Sequence, residues 1–250
     1  MLGAALDILS KGGFAFLSRW AHVVVGITWI GLLYYFNFVQ VPAFGEMEGA
    51  ARNNAIDKLA SRALWWFRWA AVATVASGLL ILGFQDELDD MSYFKSPPGM
   101  AIAAGILLAL TMFVNVWGII WRNQKIVIAN ARNVQAGGEA DPAAAGAGRK
   151  ALLASRMNTI YSLPMLVFMV GTSHFPYDDV SLEVSGSKRA IYWALIVVVW
   201  IAFELNALGK IGGTAAGGTN IIYDTHKNAI ITGACYALFV LLVFSFVLAT

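Results

Sequence analysis

The sequence predicts an all-α fold, a polytopic membrane bundle of about six transmembrane helices with both termini outside. Three observations carry that expectation. Of the 250 residues, 59% are hydrophobic and only 13% charged, about half of the ~25% charged share of a soluble domain. The apolar residues fall in runs long enough to cross hydrocarbon, which takes ~20 residues per helix. The lysines and arginines, finally, gather in alternate loops.

Six spans follow in order, near 17–41, 63–84, 99–121, 153–173, 190–208 and 228–249. The first is built on "HVVVGITWIG", with Arg19 inside its start, and runs into "LYYFNFVQVPAF". The second opens with "LWWFRW" and the third ends in "FVNVWGIIWRNQK". The fourth opens with "ASRMNTIYSLP", the fifth closes with "FELNAL", and the sixth begins at "YDTHKN". Residues 2–10 have the pattern of a short surface-lying amphipathic helix. Asp7 interrupts the N-terminal apolar stretch and no small-residue cleavage site follows, so no cleavable signal is expected.

The loops after the first, third and fifth spans, with the adjoining helix ends, carry twelve of the Lys and Arg residues, and the other side carries five. Positive loops stay inside, so both termini are expected in the periplasm of a bacterial inner, cytoplasmic membrane. A net charge of +2 gives no basis for nucleic-acid binding. Cys235 is the sole cysteine, so neither an intrachain disulfide nor a C-x-x-C-H haem attachment is available.

The chain reads as one membrane domain, residues 1–250. "AGGEADPAAAGAG" at 136–148 has the composition of a flexible linker in a long cytoplasmic loop. "GKIGGTAAGGTN" at 209–220 lacks the G-x-x-x-x-G-K-[ST] pattern and a preceding strand, so it does not read as a phosphate-binding loop.

With this topology, polar side chains collect at one level. The first span brings Asn37 and Gln40, the third Asn115, Arg122 and Gln124, the fourth Arg156 and Asn158, the fifth Glu204 and Asn206, and the sixth His226. Interfacial Trp, Tyr and snorkelling Arg are ordinary at helix ends. Amides a turn or two inside are not, because polar groups within a span are costly and face the bundle. They are interhelical hydrogen-bond glue or the lining of a pocket. Forked guanidinium and amide groups suit a small planar anion rich in carbonyls and N–H groups, with Glu204 as the candidate base. His22 and His174 lie at compatible depths for a bis-histidine haem b, while His226 is on the other side.

The ordered strings "RWAHVVVGITWIGLLYYFNFVQVP", "LWWFRWAAVAT", "NVWGIIWRNQK", "SRMNTIYSLPML", "FELNAL" and "THKNAI" resemble the membrane domain of bacterial membrane-bound urate hydroxylases, the urate oxidase N-terminal family. The resemblance covers about 17–230. It implies urate as substrate, oxidised toward 5-hydroxyisourate, with electrons passing outward to a c-type cytochrome. In that reading Arg156 and Arg122 bind urate, and Asn37, Gln40, Asn115, Gln124, Asn158 and Asn206 orient it. Glu204 with His226 activates water. Family enzymes continue into a C-x-x-C-H cytochrome domain that these 250 residues do not contain. The expectation is therefore either a separate cytochrome c as acceptor, or an accessory role in a respiratory or photosynthetic complex. Membrane lipid surrounds the bundle in both cases.

Overall fold

The structure is a computed structural model that describes residues 8–85, 87–88, 91–177 and 184–248. Among these there are six long helices and no strand. We label them α1 (Lys11–Glu46), α2 (Gly49–Phe84), α3 (Pro97–Gln135), α4 (Ala143–His174), α5 (Gly186–Ala207) and α6 (His226–Leu248). All but α4 are long and apolar enough to cross a membrane. The chain is thus a helical membrane bundle. Most of the segment 2–10, expected to lie on the surface, falls outside the described residues.

Serines begin three of the helices. Ser10, Ser96 and Ser185 each accept the backbone N–H three residues on, at Gly13, Gly99 and Lys188, satisfying donors that the helix itself cannot reach. Pro97 follows Ser96, at the one position where a missing N–H costs a helix nothing.

The least apolar helix is the central one. Helix α4 carries Arg149, Lys150, Arg156 and Asn158, and it packs on α3 and α6 with further contacts to α1 and α5. Leu153, Met157, Ile160, Tyr161 and Phe168 are fully enclosed there. Helix α2 pairs with α1. Enclosing the polar helix in apolar ones keeps its hydrogen-bonding groups away from lipid.

Several helices outrun the expected spans. The extra turns at the start of α2 and the end of α3 pair with each other: Arg132 donates to Asp57 at 2.5 Å, and Gln135 Nε2 to the Asn53 carbonyl at 3.0 Å. Hydropathy alone stops where the apolar run stops, but these polar turns remain helical because each supports the other. The expected linker at 136–148 is corrected in the same way. Only its first part is a loop, and Ala143–Gly148 forms the first turns of α4. Alanine is the best helix former, and the Ala143 N–H is met by Asp141 Oδ1 at 2.8 Å.

Helices α4 and α6 come unusually close. Pro164 within α4 has no N–H to offer the Ile160 carbonyl. Helix α6 presents Gly233 there, where an added Cβ would lie 3.1 Å from the Ile160 oxygen and 3.0 Å from Leu163 Cδ1. Small residues let membrane helices approach this way. Gly233→Leu should overpack the seam and cost about 1–3 kcal/mol, read as a lower thermal-unfolding midpoint in detergent. An unchanged midpoint would show that the seam has slack.

Candidate functional site: an interior polar layer and its cavity

The polar layer exists, and its members largely hold one another. Arg156 on α4 is 3% exposed. Its Nε donates to Asn37 Oδ1 at 3.1 Å, and its Nη1 to the Tyr223 carbonyl at 2.8 Å. Asn37 in turn donates to Ser155 Oγ at 2.8 Å and to its own helix at the Leu33 carbonyl, 2.9 Å. Asn158 donates to the Met112 carbonyl at 3.0 Å and accepts from Asn115 Nδ2 at 3.0 Å. The same Asn115 amide lies 3.4 Å from Glu204 Oε2. These contacts join the end of α1, the middle of α3, the first half of α4 and the end of α5, as a bundle of alternating helix direction requires.

Asn206 serves another purpose. Its Nδ2 reaches the Ile211 carbonyl at 2.9 Å and Thr219 Oγ1 at 2.9 Å. It thereby pins the glycine-rich loop after α5. Arg149 clasps that loop from α4, donating to the Thr214 carbonyl at 2.8 Å and to Asp224 at 3.1 Å. Between the loop and α6, Tyr223 is fully buried and donates to the Phe203 carbonyl at 3.2 Å. Burial, and second the Glu204 carboxylate, push its phenol well above the ordinary range, so it remains a donor.

The helices flanking this layer are not regular. Tyr35–Gln40 in α1 and Asn115–Ile120 in α3 are π-helical, a distortion that appears often at functional sites. Each adds residues to a turn and widens the helix where the amides sit. Beside them lies a cavity of about 180 Å³, walled by Phe36 and Gln40 of α1, Leu64 and Phe67 of α2, Ile120 and Gln124 of α3, and Gly148, Leu152 and Ser155 of α4. An engineered apolar cavity of about 150 Å³ holds benzene, so this space is on the scale of one small planar solute. Phe36 and Phe67 meet edge to face at 5.3 Å in its wall. The Gln40 carbonyl oxygen is buried with no partner among the described residues. Such groups are rare in folded proteins and call for an explanation.

Of the residues expected at a site, Gln40 and Gln124 line the cavity. Asn37 stands one hydrogen bond behind its wall, through Ser155, and Arg156 one further. Asn115, Asn158 and Glu204 form their own cluster and are not in the lining. Arg122 is exposed. His226 packs its ring on Phe38, centroids 6.0 Å apart. Ser155 is a wall residue that the sequence places in the polar layer through the start of the fourth span, without a site role, and Phe36 and Phe67 are wall residues it does not single out. The advance signal for the two rings is position next to Asn37 and Arg68.

The two histidines expected to share a haem lie on different helices, His22 on α1 and His174 at the end of α4. His22 sits in the α1–α2 seam, its Nδ1 2.9 Å from the Thr74 carbonyl and 3.2 Å from Ser77 Oγ. His174 is exposed at the end of α4, with Nδ1 3.1 Å from the Val170 carbonyl of its own helix. In both rings Nδ1 faces a backbone carbonyl, the arrangement that fixes the ring and leaves Nε2 for a metal.

Residues 87–205 match the family model described as "Urate oxidase N-terminal". No curated protein and no solved structure compared with the chain gave a match. The matched stretch runs from the α2–α3 connection nearly to the end of α5, and so includes Asn115, Gln124, Ser155, Arg156, Asn158 and Glu204. Over that stretch, a little under half of its length, the chain is similar to the urate oxidase N-terminal family.

Proposed function

We propose that the chain binds urate, or a closely similar oxopurine, in the cavity between α1, α2, α3 and α4, and supports its oxidation as a urate hydroxylase-like protein of the bacterial inner membrane. The observation that carries this reading is the Gln40 carbonyl oxygen, buried at the cavity wall without a donor. A ring N–H of an oxopurine supplies that donor. Gln124 offers an amide across the space and Ser155 a hydroxyl, while Phe36, Phe67, Leu64 and Ile120 provide apolar surface for the ring faces. The positive charge of Arg156, passed on through Asn37 to Ser155, favours a ligand that is anionic.

In the reaction urate takes up the oxygen of one water at C5 and releases two electrons and two protons, giving 5-hydroxyisourate. The electrons go to a c-type cytochrome, two equivalents for each urate, because each haem accepts one. No step is assigned to a haem in the chain itself. Glu204, held by Asn115, is the interior carboxylate to which this reading gives the released protons. By the distribution of Lys and Arg, the cavity opens toward the cytoplasmic side.

A second reading is favoured by one specific observation. Arg156 is bonded to Asn37 and Asn115 to Asn158, and their other bonds go to Ser155, Glu204 and backbone carbonyls of the bundle, which is what a purely structural lock between helices requires. The chain is then an accessory subunit of a larger respiratory or photosynthetic membrane complex.

Purified protein should bind urate, and Gln40→Leu should weaken binding about 5- to 150-fold, the effect of losing a buried hydrogen bond worth ~1–3 kcal/mol. Calorimetry in detergent reads this directly, and equal affinity in the variant would remove the cavity from the account. With cytochrome c supplied, urate should reduce it, and Glu204→Gln should slow that reduction without changing urate affinity. If wild-type protein neither binds urate nor reduces any c-type cytochrome, and instead co-purifies in fixed ratio with a redox complex in mild detergent, the accessory reading stands in its place.

A further inference from the structure

A second site lies outside the cavity, where α2 meets α3. Arg68 is 8% exposed, and its guanidinium carbon lies 3.4 Å from the centroid of the Trp121 ring and 5.2 Å from that of Trp117. Among the described residues only its Nε has a protein acceptor, the Leu64 carbonyl at 3.1 Å. Neither Nη group has a partner among the described residues. Lys125 approaches the same Trp121 indole, with Nζ 5.9 Å from the centroid. No carboxylate lies within ion-pair distance of either cation among the described residues. The indole Nε1–H of Trp117 is also buried and has no partner among the described residues.

Every unsatisfied group in this cluster is a donor, and two of the side chains are positive. Only an anion that accepts hydrogen bonds answers all of them. Cation–π stacking holds the guanidinium flat and leaves its outer N–H fork free for a planar or tetrahedral oxyanion. The surroundings say where that anion comes from. Trp65, Trp66 and Trp69 on the same stretch of α2 are 48%, 61% and 47% exposed. Trp69 stands edge to face with Trp117 at 5.7 Å. These tryptophans stand where the apolar stretch of α2 begins, and exposed tryptophans at such a boundary mark the depth of the lipid headgroups.

We propose that Arg68, Trp117, Trp121 and Lys125 form a seat for the phosphate of an anionic phospholipid. The phosphate takes the Arg68 fork, Lys125 adds charge from the aqueous side, and the acyl chains lie along the exposed tryptophans. The proposal is independent of what occupies the cavity.

The test uses the purified full chain in a non-ionic detergent. Native mass spectrometry and thermal-shift titrations are run with phosphatidylglycerol, phosphatidylcholine and inorganic phosphate. Phosphatidylglycerol should remain bound and raise the unfolding midpoint, whereas phosphatidylcholine and inorganic phosphate should not. Lys125→Gln, an exposed change, should weaken phosphatidylglycerol about fivefold, the effect of one basic residue worth ~1 kcal/mol at an anionic surface. Arg68→Gln should weaken it by at least as much. Should that variant fail to fold, Arg68→Lys, which keeps the charge but loses the flat stacked fork, replaces it and should also bind more weakly. Undiminished lipid binding in the variants would overturn the site, and an equal response to inorganic phosphate would overturn a lipid as its source.

Discussion

The interaction on which the rest depends is the buried Arg156 guanidinium and its neutral holders. A charge enclosed in a bundle is tolerable only when hydrogen-bonded, and a hydrogen bond to a charged group is worth about 1.5–3 kcal/mol. Among the described residues no carboxylate lies within ion-pair distance of Arg156; the Asn37 amide oxygen and the Tyr223 carbonyl hold it instead. Those two contacts fix three otherwise separate pieces of chain. They are the end of α1, the middle of α4 and the short turn before α6. The polar helix must therefore be central, since nowhere else could its arginine and amides find partners away from lipid.

The cavity follows from the same constraint. Because Asn37 is turned toward Ser155 and Arg156, the next polar residue of α1, Gln40, is left facing the space between the helices. The π-helical turns in α1 and α3 widen the backbone at this level. The result is a polar lock with a small aromatic-walled chamber against its side. Lock and chamber are adjacent but not identical, and this separates the groups that hold the bundle from those offered to a ligand.

Much of this was legible in the sequence. Asparagines, an arginine and a glutamate inside apolar runs have few places to go except toward each other, so depth alone predicted that Asn37, Asn115, Arg156 and Asn158 converge. Direction around each helix was not legible. A π-turn changes the number of residues per turn, so positions after it rotate away from where a regular helical period would put them. That is why Arg122, just past the Asn115–Ile120 turn, ends exposed, while Gln124 reaches the cavity. The alanine-rich start of α4 was hidden by its glycines, which fit because the helix is supported from α3, where Val127 packs beside Gly148.

The central claim is that the space beside the lock is a ligand chamber and not a packing defect. An experimental structure of the chain determined with urate tests it most directly. The account predicts a flat bicyclic density between Phe36 and Ile120, within hydrogen-bonding distance of Gln40 and Gln124, with the Arg156–Asn37–Ser155 contacts unchanged. A chamber closed by the side chains of Gln40, Gln124 and Leu152, with urate bound elsewhere or not at all, would contradict it.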